Sequence, residues 1–196
     1  MTVEEFWDFC NLEENQERSL ELVDGEVVEL QRPFHRHGVV CAKVAFKLGQ
    51  YSLWMCNGYG TSNNAGIILQ RKPDTVLGPD IAFYEGATLH EDRVTGWSTE
   101  PPILVVEILS PNDDIERVIA KRERYLTNGV KIVWQVDYEE RNVTVHRPDK
   151  TLEVVPESGE LTGGNELPGL VISVADLFRL PGDRPAPQSQ PQPPVA

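Results

Sequence analysis

The sequence predicts a single α/β (α+β) domain, with a mixed central β-sheet flanked by helices. Three observations carry this reading. Helix-like and strand-like patterns follow one another as helix, hairpin, long helix, strands, helix, strands, an order that sets helices against a sheet. The run "ILVVEIL" at 103–109 is apolar on both faces apart from one glutamate, as an interior strand would be. A chain of 196 residues with 40% hydrophobic content is also long enough for one domain with a proper core.

Each element has its own local reason. Thr2 followed by Glu5 fits a capping box, opening a short helix through Phe6, Trp7 and Phe9. In "SLELVDGEVVEL" the pair Asp24-Gly25 divides two β-prone runs, which marks a hairpin. From His35 to Met55 the apolar residues Val40, Val44, Leu48, Tyr51 and Met55 recur at helical spacing, with His37 on the same stripe. "GIILQ" and "PDIAFYE" read as strands, and a polar loop from Gly86 to Glu100 leads to the apolar run. Pro101-Pro102 open that run and Ser110-Pro111-Asn112 close it.

Asp113 or Asp114 caps a second helix, which runs to about Thr127 and stops at Asn128-Gly129. "KIVWQVD" is a strand, "YEERN" a turn, and "VTVHRP" and "TLEVV" continue a meander; "SVADLF" is a short terminal helix. The domain therefore spans residues 1–180. Residues 181–196 hold six of the fifteen prolines, with glutamine and serine among them, and offer a core nothing to bury. They are expected to form a disordered tail.

Composition narrows the function classes. With 31 acidic against 18 basic side chains the net charge is −13, and the pI is near 4.7. Such a surface repels nucleic acid as a whole, yet leaves room for a local basic groove. Cys10, Cys41 and Cys56 lack metal-ligand spacing and read as buried, reduced thiols. There is no apolar stretch of the ~20 residues a membrane span needs, and no secretory leader pattern. No membrane partner is expected, and the cytoplasm is the expected compartment.

Glu107, inside the apolar run, needs an explanation. An ionised carboxylate buried in a strand costs several kcal/mol unless a cation or good donors meet it. A salt bridge to a helix arginine is one answer. Another comes from pairing "PDIAFYE" antiparallel with "PPILVVEIL" so that Ala82 faces Val105. Tyr84 then lies opposite Ile103, and Asp80 opposite Glu107, with both carboxylates on one face of the sheet. Two such carboxylates repel, and one has its pKa raised. A divalent cation between them removes the conflict, and hard oxygen ligands suit Mg²⁺ or Mn²⁺. Singly, Asp80 reads as a turn former, His37 as a core histidine, and Lys121 as part of a solvated helix face with Arg117, Arg122 and Arg124.

Taken together, these residues resemble a family. "ELVDGE" at 21–26, His37 with Val40 and Val44, "PDIAF" at 79–83, "VVEILSP" at 105–111, Lys121 with Tyr125, and Gly129-Val130 followed by Trp134, Val136 and Asp137 look like the Uma-two family. Its members are restriction-endonuclease-like proteins of the PD-(D/E)XK nuclease superfamily, and the resemblance covers about residues 2 to 180. It implies a restriction-endonuclease-like sheet with the metal-binding acids on adjacent strands. Asp80 would be the motif's aspartate and Glu107 its second acid. The usual lysine position, two residues on, is Leu109, and the resemblance moves the lysine to Lys121 on the following helix. Glu21 and His37 match recurrent family positions. Where members often carry an acid, four residues before the lysine, this chain has Arg117.

The implied activity is metal-dependent hydrolysis of DNA. Asp80 and Glu107 would hold the metal, with the Ile108 carbonyl a further ligand, and the metal would lower the pKa of water and neutralise phosphate charge. Lys121 would orient the water or stabilise developing charge, while Arg117, Arg122 and Arg124, with Lys131, would line a phosphate path. DNA is the expected partner, and the resemblance admits a homodimer. Two rivals stand beside this reading. One is a catalytically weak binding or regulatory module on the nuclease scaffold, favoured by the acidic pI and Arg117. The other is a small-molecule hydrolase using the paired acids.

Overall fold

The computed structural model describes residues 1–55, 57–86 and 96–183. Cys56, most of the polar loop expected at 86–100, and nearly all of the proline-rich segment lie outside the described residues. Helix α1 (Val3–Cys10) opens with the capping box, Thr2 accepting from the Glu5 amide and Glu5 from the Thr2 amide. Strands β1 (Leu20–Val23) and β2 (Glu26–Glu29) form the hairpin. Its turn residues Asp24 and Gly25 sit at φ 52° and 83°, a left-handed pair that a two-residue hairpin turn requires.

Helix α2 spans His35–Met55 as its periodicity requires, and buries His37, Val40, Val44, Leu48 and Tyr51. Met55, at the end of that stripe, is 38% exposed. Strands β3 (Tyr59–Ser62), β4 (Ile67–Gln70), β5 (Thr75–Leu77), β6 (Ile81–Tyr84) and β7 (Leu104–Leu109) follow. Helix α3 (Ile115–Thr127) takes Asp114 as its N-cap, the carboxylate accepting from the amides of Glu116 and Arg117. Then come β8 (Ile132–Asp137), β9 (Asn142–His146), β10 (Leu152–Pro156), β11 (Glu160–Gly163), β12 (Leu167–Ser173) and α4 (Val174–Phe178).

Six strands form the central sheet in the order β10-β9-β8-β7-β6-β3. It is mixed, since β7 and β8 run parallel across the α3 crossover while the other neighbours are antiparallel. The expected architecture is thus present. The hairpin does not join this sheet but builds a second one with β4 and β5, in the order β2-β1-β5-β4.

Strand alternation divides the core between the two faces of the central sheet. Leu104, Val106 and Ile108 of β7, with Ile132, Trp134 and Val136 of β8, point toward α2 and merge with the β11–β12 ribbon and α4. Each such side chain contributes about 1.5–3 kcal/mol when fully buried. Val105 and Val133 point the other way, onto Tyr125 of α3 and Leu77 of β5, in a much smaller cluster. Cys10 and Cys41 are free thiols, half-buried where full burial was expected. Among the described residues no helix is long and apolar enough to cross a membrane.

Candidate active site

The register of β6 on β7 brings the acids together. Ala82 pairs with Val105 and Ile81 with Val106, so the register carried one residue beyond β6 sets Asp80 across from Glu107, at the end of the sheet that His37 of α2 and Lys121 of α3 both reach. Asp80 and Glu107 line one cleft with Glu21, His37, Arg117 and Lys121. Asp80 is anchored from two sides. Its Oδ2 accepts a 2.7 Å hydrogen bond from the Ile108 amide and lies 3.2 Å from Nε2 of His37, in the first turn of α2. Burial depresses the His37 pKa, but its hydrogen bond to Asp80 and that carboxylate's charge outweigh burial and leave it raised.

Glu107 is met from α3. Tyr125 donates its hydroxyl to Glu107 Oε1 at 2.8 Å, and Lys121 Nζ lies 3.0 Å from the same oxygen. Helical spacing explains this, since Arg117, Lys121 and Tyr125 stand four residues apart and share one stripe of α3. Lys121 also lies 2.9 Å from Glu21 Oε1 and donates to the Gly78 carbonyl at 3.1 Å. Glu21, only 2% exposed on β1, accepts from the Gly78 amide at 3.0 Å. Glu21, Gly78 and Lys121 therefore close a ring that holds the ammonium beside Glu107.

Charge in this cluster is unbalanced. Burial pushes the Glu107 pKa up to about 7; Lys121 pulls against this, and Asp80 and Glu21 push further upward. For Lys121, burial works downward, but the charges of Glu107 and Glu21 prevail and raise it. Tyr125 is likewise raised, by burial first and then by Glu107 and Glu21. Lys121 is thus shared between Glu107 and Glu21, Asp80 is met by His37, and a further cation would relieve the repulsion that adds to the rise at Glu107. Among the described residues no hydrogen bond uses Asp80 Oδ1 or Glu107 Oε2, so hard oxygen donors are left for it. A second donor group overlaps the first: His37, Cys41 and Asp80 offer atoms within 4.8 Å of one another. Burial drives the Cys41 thiol well above its usual range, with Asp80 and Glu107 adding to it.

The cations expected along a phosphate path separate. Arg117 lines the cleft, its Nη2 at 4.0 Å from Glu21 Oε2. Arg122 instead pairs with its neighbour Glu123 at 2.8 Å. Arg124 pairs with Asp24 in the hairpin turn at 2.5 Å. Arg122 falls off the stripe that Arg117, Lys121 and Tyr125 share, whereas Arg124, seven residues after Arg117, lies beside it but is engaged by the hairpin turn. Lys131 precedes β8 at the end of the sheet remote from the acids, where its amide bonds the Ile103 carbonyl.

One cleft residue went unread in the sequence. Gln135 interrupts the buried strand β8 as Glu107 interrupts β7, and the two are direct partners in the parallel ladder. A single polar residue within "KIVWQVD" was its signal.

A family model described as "Uma2: Putative restriction endonuclease" matches residues 3–175. In three dimensions the chain is similar to a protein of Anabaena variabilis ATCC 29413 whose crystal structure is described as that of a "putative nuclease belonging to DUF820". The TM-score is 0.76 at 19% identity, covering 91% of this chain and 97% of that one. At that identity the likeness speaks for the fold. Among curated proteins no relative matches the sequence.

Proposed function

The chain belongs to the Uma2 family, and on that footing we propose that it is a metal-dependent endonuclease hydrolysing DNA phosphodiester bonds. One observation carries the reading. Lys121 Nζ stands 3.0 Å from Glu107 and 2.9 Å from Glu21, at the end of the sheet where the β6–β7 register sets Asp80 across from Glu107. An acid pair at adjacent strands, met by a lysine from the crossover helix, suits metal-assisted phosphodiester hydrolysis.

Asp80 and Glu107 would hold Mg²⁺ or Mn²⁺ through their free oxygens. When bound, such a cation lowers the pKa of a water and neutralises phosphate charge. The remaining roles belong to the protein. The Ile108 amide and His37 fix the Asp80 carboxylate. Tyr125 fixes Glu107. Glu21 and Gly78 keep the Lys121 ammonium at the acids, where it stabilises charge developing on the phosphate and the attacking water. Arg117, on the cleft wall, contacts a neighbouring phosphate. Because the net charge is −13, attraction to DNA has to be local to this cleft. The proposal places the activity in residues 1–180, in the cytoplasm, with DNA as partner and a homodimer as the assembly; the mass of the active species in solution tests the last point.

The test is cleavage. With Mg²⁺ or Mn²⁺ the protein should nick or cut DNA, EDTA should stop it, and Glu107→Gln should abolish it while the fold persists. Cleavage that survives Glu107→Gln belongs to a contaminant and sinks the assignment. Arg117 supports the second reading, a binding module, because it sets a second cation beside Glu21, the residue that holds Lys121. Metal bound at Asp80 and Glu107 without turnover of any DNA or RNA would favour that module, and Arg117→Asp would then be the first reversion to try.

A further inference from the structure

Two cations of the cleft stand against its acids, Lys121 with Glu107 and Glu21, and Arg117 at a longer distance from Glu21; Arg32 also lines the wall. A phosphate reaching the acids would gain from a neutral donor that is not drawn onto them. Gln135 fits. It is 7% exposed, while Ile132, Val133, Trp134 and Val136 around it on β8 are apolar and sealed. An amide in that setting is costly unless it is hydrogen-bonded. His146 on β9, 6% exposed, supplies one bond, its Nε2 standing 2.8 Å from Gln135 Oε1. The two lie diagonally across the β8–β9 ladder, where Val133 pairs with His146 and Gln135 with Thr144.

That bond sets which end of the amide faces the cleft. Burial, and then the charge of Arg122, depress the His146 pKa to about 4, so the ring is neutral at pH 7 and carries one N–H. An Nε2–H donating to Oε1 turns the Gln135 NH₂ outward. The reverse orientation would aim the amide carbonyl at Glu107, its ladder partner, with Asp80 and Glu21 nearby, which is electrostatically unfavourable. No described acceptor binds the NH₂, and it is not among the sealed polar atoms lacking a partner, which are Thr61 Oγ1 and Trp134 Nε1. It therefore opens on the cleft.

We propose that Gln135, held by His146, is a substrate-binding residue that donates to a non-bridging oxygen of a phosphodiester in the cleft. This rests on the nuclease reading. Being neutral, the amide is not drawn onto the carboxylates as Lys121 is. His146 is a positioning residue that acts only through Gln135.

The experiment compares KM and kcat on a DNA duplex with Mg²⁺, alongside Mn²⁺ affinity by calorimetry. Gln135→Met keeps length and loses both donors; KM should rise about tenfold, as expected for a lost hydrogen bond to a charged group, with kcat and Mn²⁺ affinity nearly unchanged. Gln135→Glu, which adds a charge, should raise KM further. His146→Phe should raise KM about threefold, and His146→Gln, which restores a donor, should recover part of the loss. Gln135→Asn keeps the amide but shortens its reach, so it should show the KM effect even if Gln135→Met folds poorly. Unchanged KM in a folded Gln135 variant overturns the assignment, as does a parallel loss of Mn²⁺ affinity. If Glu107→Gln abolishes cleavage while Gln135→Met leaves KM alone, only the Gln135 role falls. If the parent protein cleaves no DNA, both fall.

Discussion

The two faces of the central sheet use the same strands for different ends. Toward α2, Ile81, Phe83, Leu104, Val106, Ile108, Ile132, Trp134, Val136, Val143 and Val145 make one continuous apolar surface. On the reverse, Ala82, Val105 and Val133 form an apolar row, and the next row is polar: Glu107, Gln135 and Thr144, ladder neighbours in turn, with Asp80 just before β6 beside them. A period of two lets one backbone serve both surfaces without compromise. The large apolar core lies on the α2 face, while the charged cluster of Glu107, Glu21 and Lys121 lies toward α3.

The largest stability effect should come from the α2 face. Trp134→Ala, at a fully buried position, should cost about 3–5 kcal/mol and show as a lowered denaturation midpoint. On the reverse face, Lys121→Ala should leave Glu21 buried without its partner, at roughly 3 kcal/mol. On the proposed mechanism it should also remove most turnover while metal binding persists, since the lysine would act on phosphate and water and not as a metal ligand. Glu21→Gln with Lys121→Met should recover stability but not activity; recovery of both would show that the faces are not specialised as described.

Two members of the reverse face should respond to pH in opposite senses. Glu107 titrates near 7 in the folded protein and near 4.5 unfolded. The folded state thus holds the extra proton between these values, and metal-free stability falls as pH rises through that window. Glu107→Gln should therefore raise the metal-free melting temperature more at pH 8 than at pH 5. His146 titrates near 4 folded against 6.5 unfolded. Its contribution is complete above 6.5 and is lost as pH falls toward 4, and His146→Phe should flatten that acid limb. Melting curves across pH for the three proteins check both signs.

The smallest effect should come from outside both faces. Removing residues 181–196 should leave the melting temperature nearly unchanged, because their composition offers nothing to bury. A large drop would place part of the core in that segment.

Legibility in the sequence followed the strength of local signals. Helix α2, the Asp24-Gly25 hairpin, the Asp114 cap and the register of β6 on β7 were readable because caps, turns and periodicity are local. Strands β3, β5, β11 and β12 were not: β3, β5 and β11 are only three or four residues long, and β12 carries a proline and a glycine that interrupt its pattern. The second sheet was missed for the same reason, since β5 is what binds the hairpin into it. Within the site, the positions of Glu107 and Lys121 were anticipated, whereas Arg122 and Arg124 were grouped with Lys121 by nearness in sequence. Helical spacing from Arg117 through Lys121 to Tyr125 sets Arg122 apart, while Arg124 shares their face and is separated only by its ion pair with Asp24. Gln135 was lost inside an apolar run, although a similar run had already drawn attention to Glu107.

The polar row also bears on how the chain finds its pairing. Strands β7 and β8 meet in parallel only after α3 has been threaded between them, a non-local closure that local turns cannot guide. Sliding either strand by one residue would carry Glu107 or Gln135 onto the α2 face, among Val106, Ile108 and Trp134, with no donor or cation to meet it. Such a misaligned state would bear the full cost of a stranded charge or amide. The residues assigned here to phosphodiester chemistry thus act earlier as an alignment check, rejecting out-of-step pairings while the sheet is still forming.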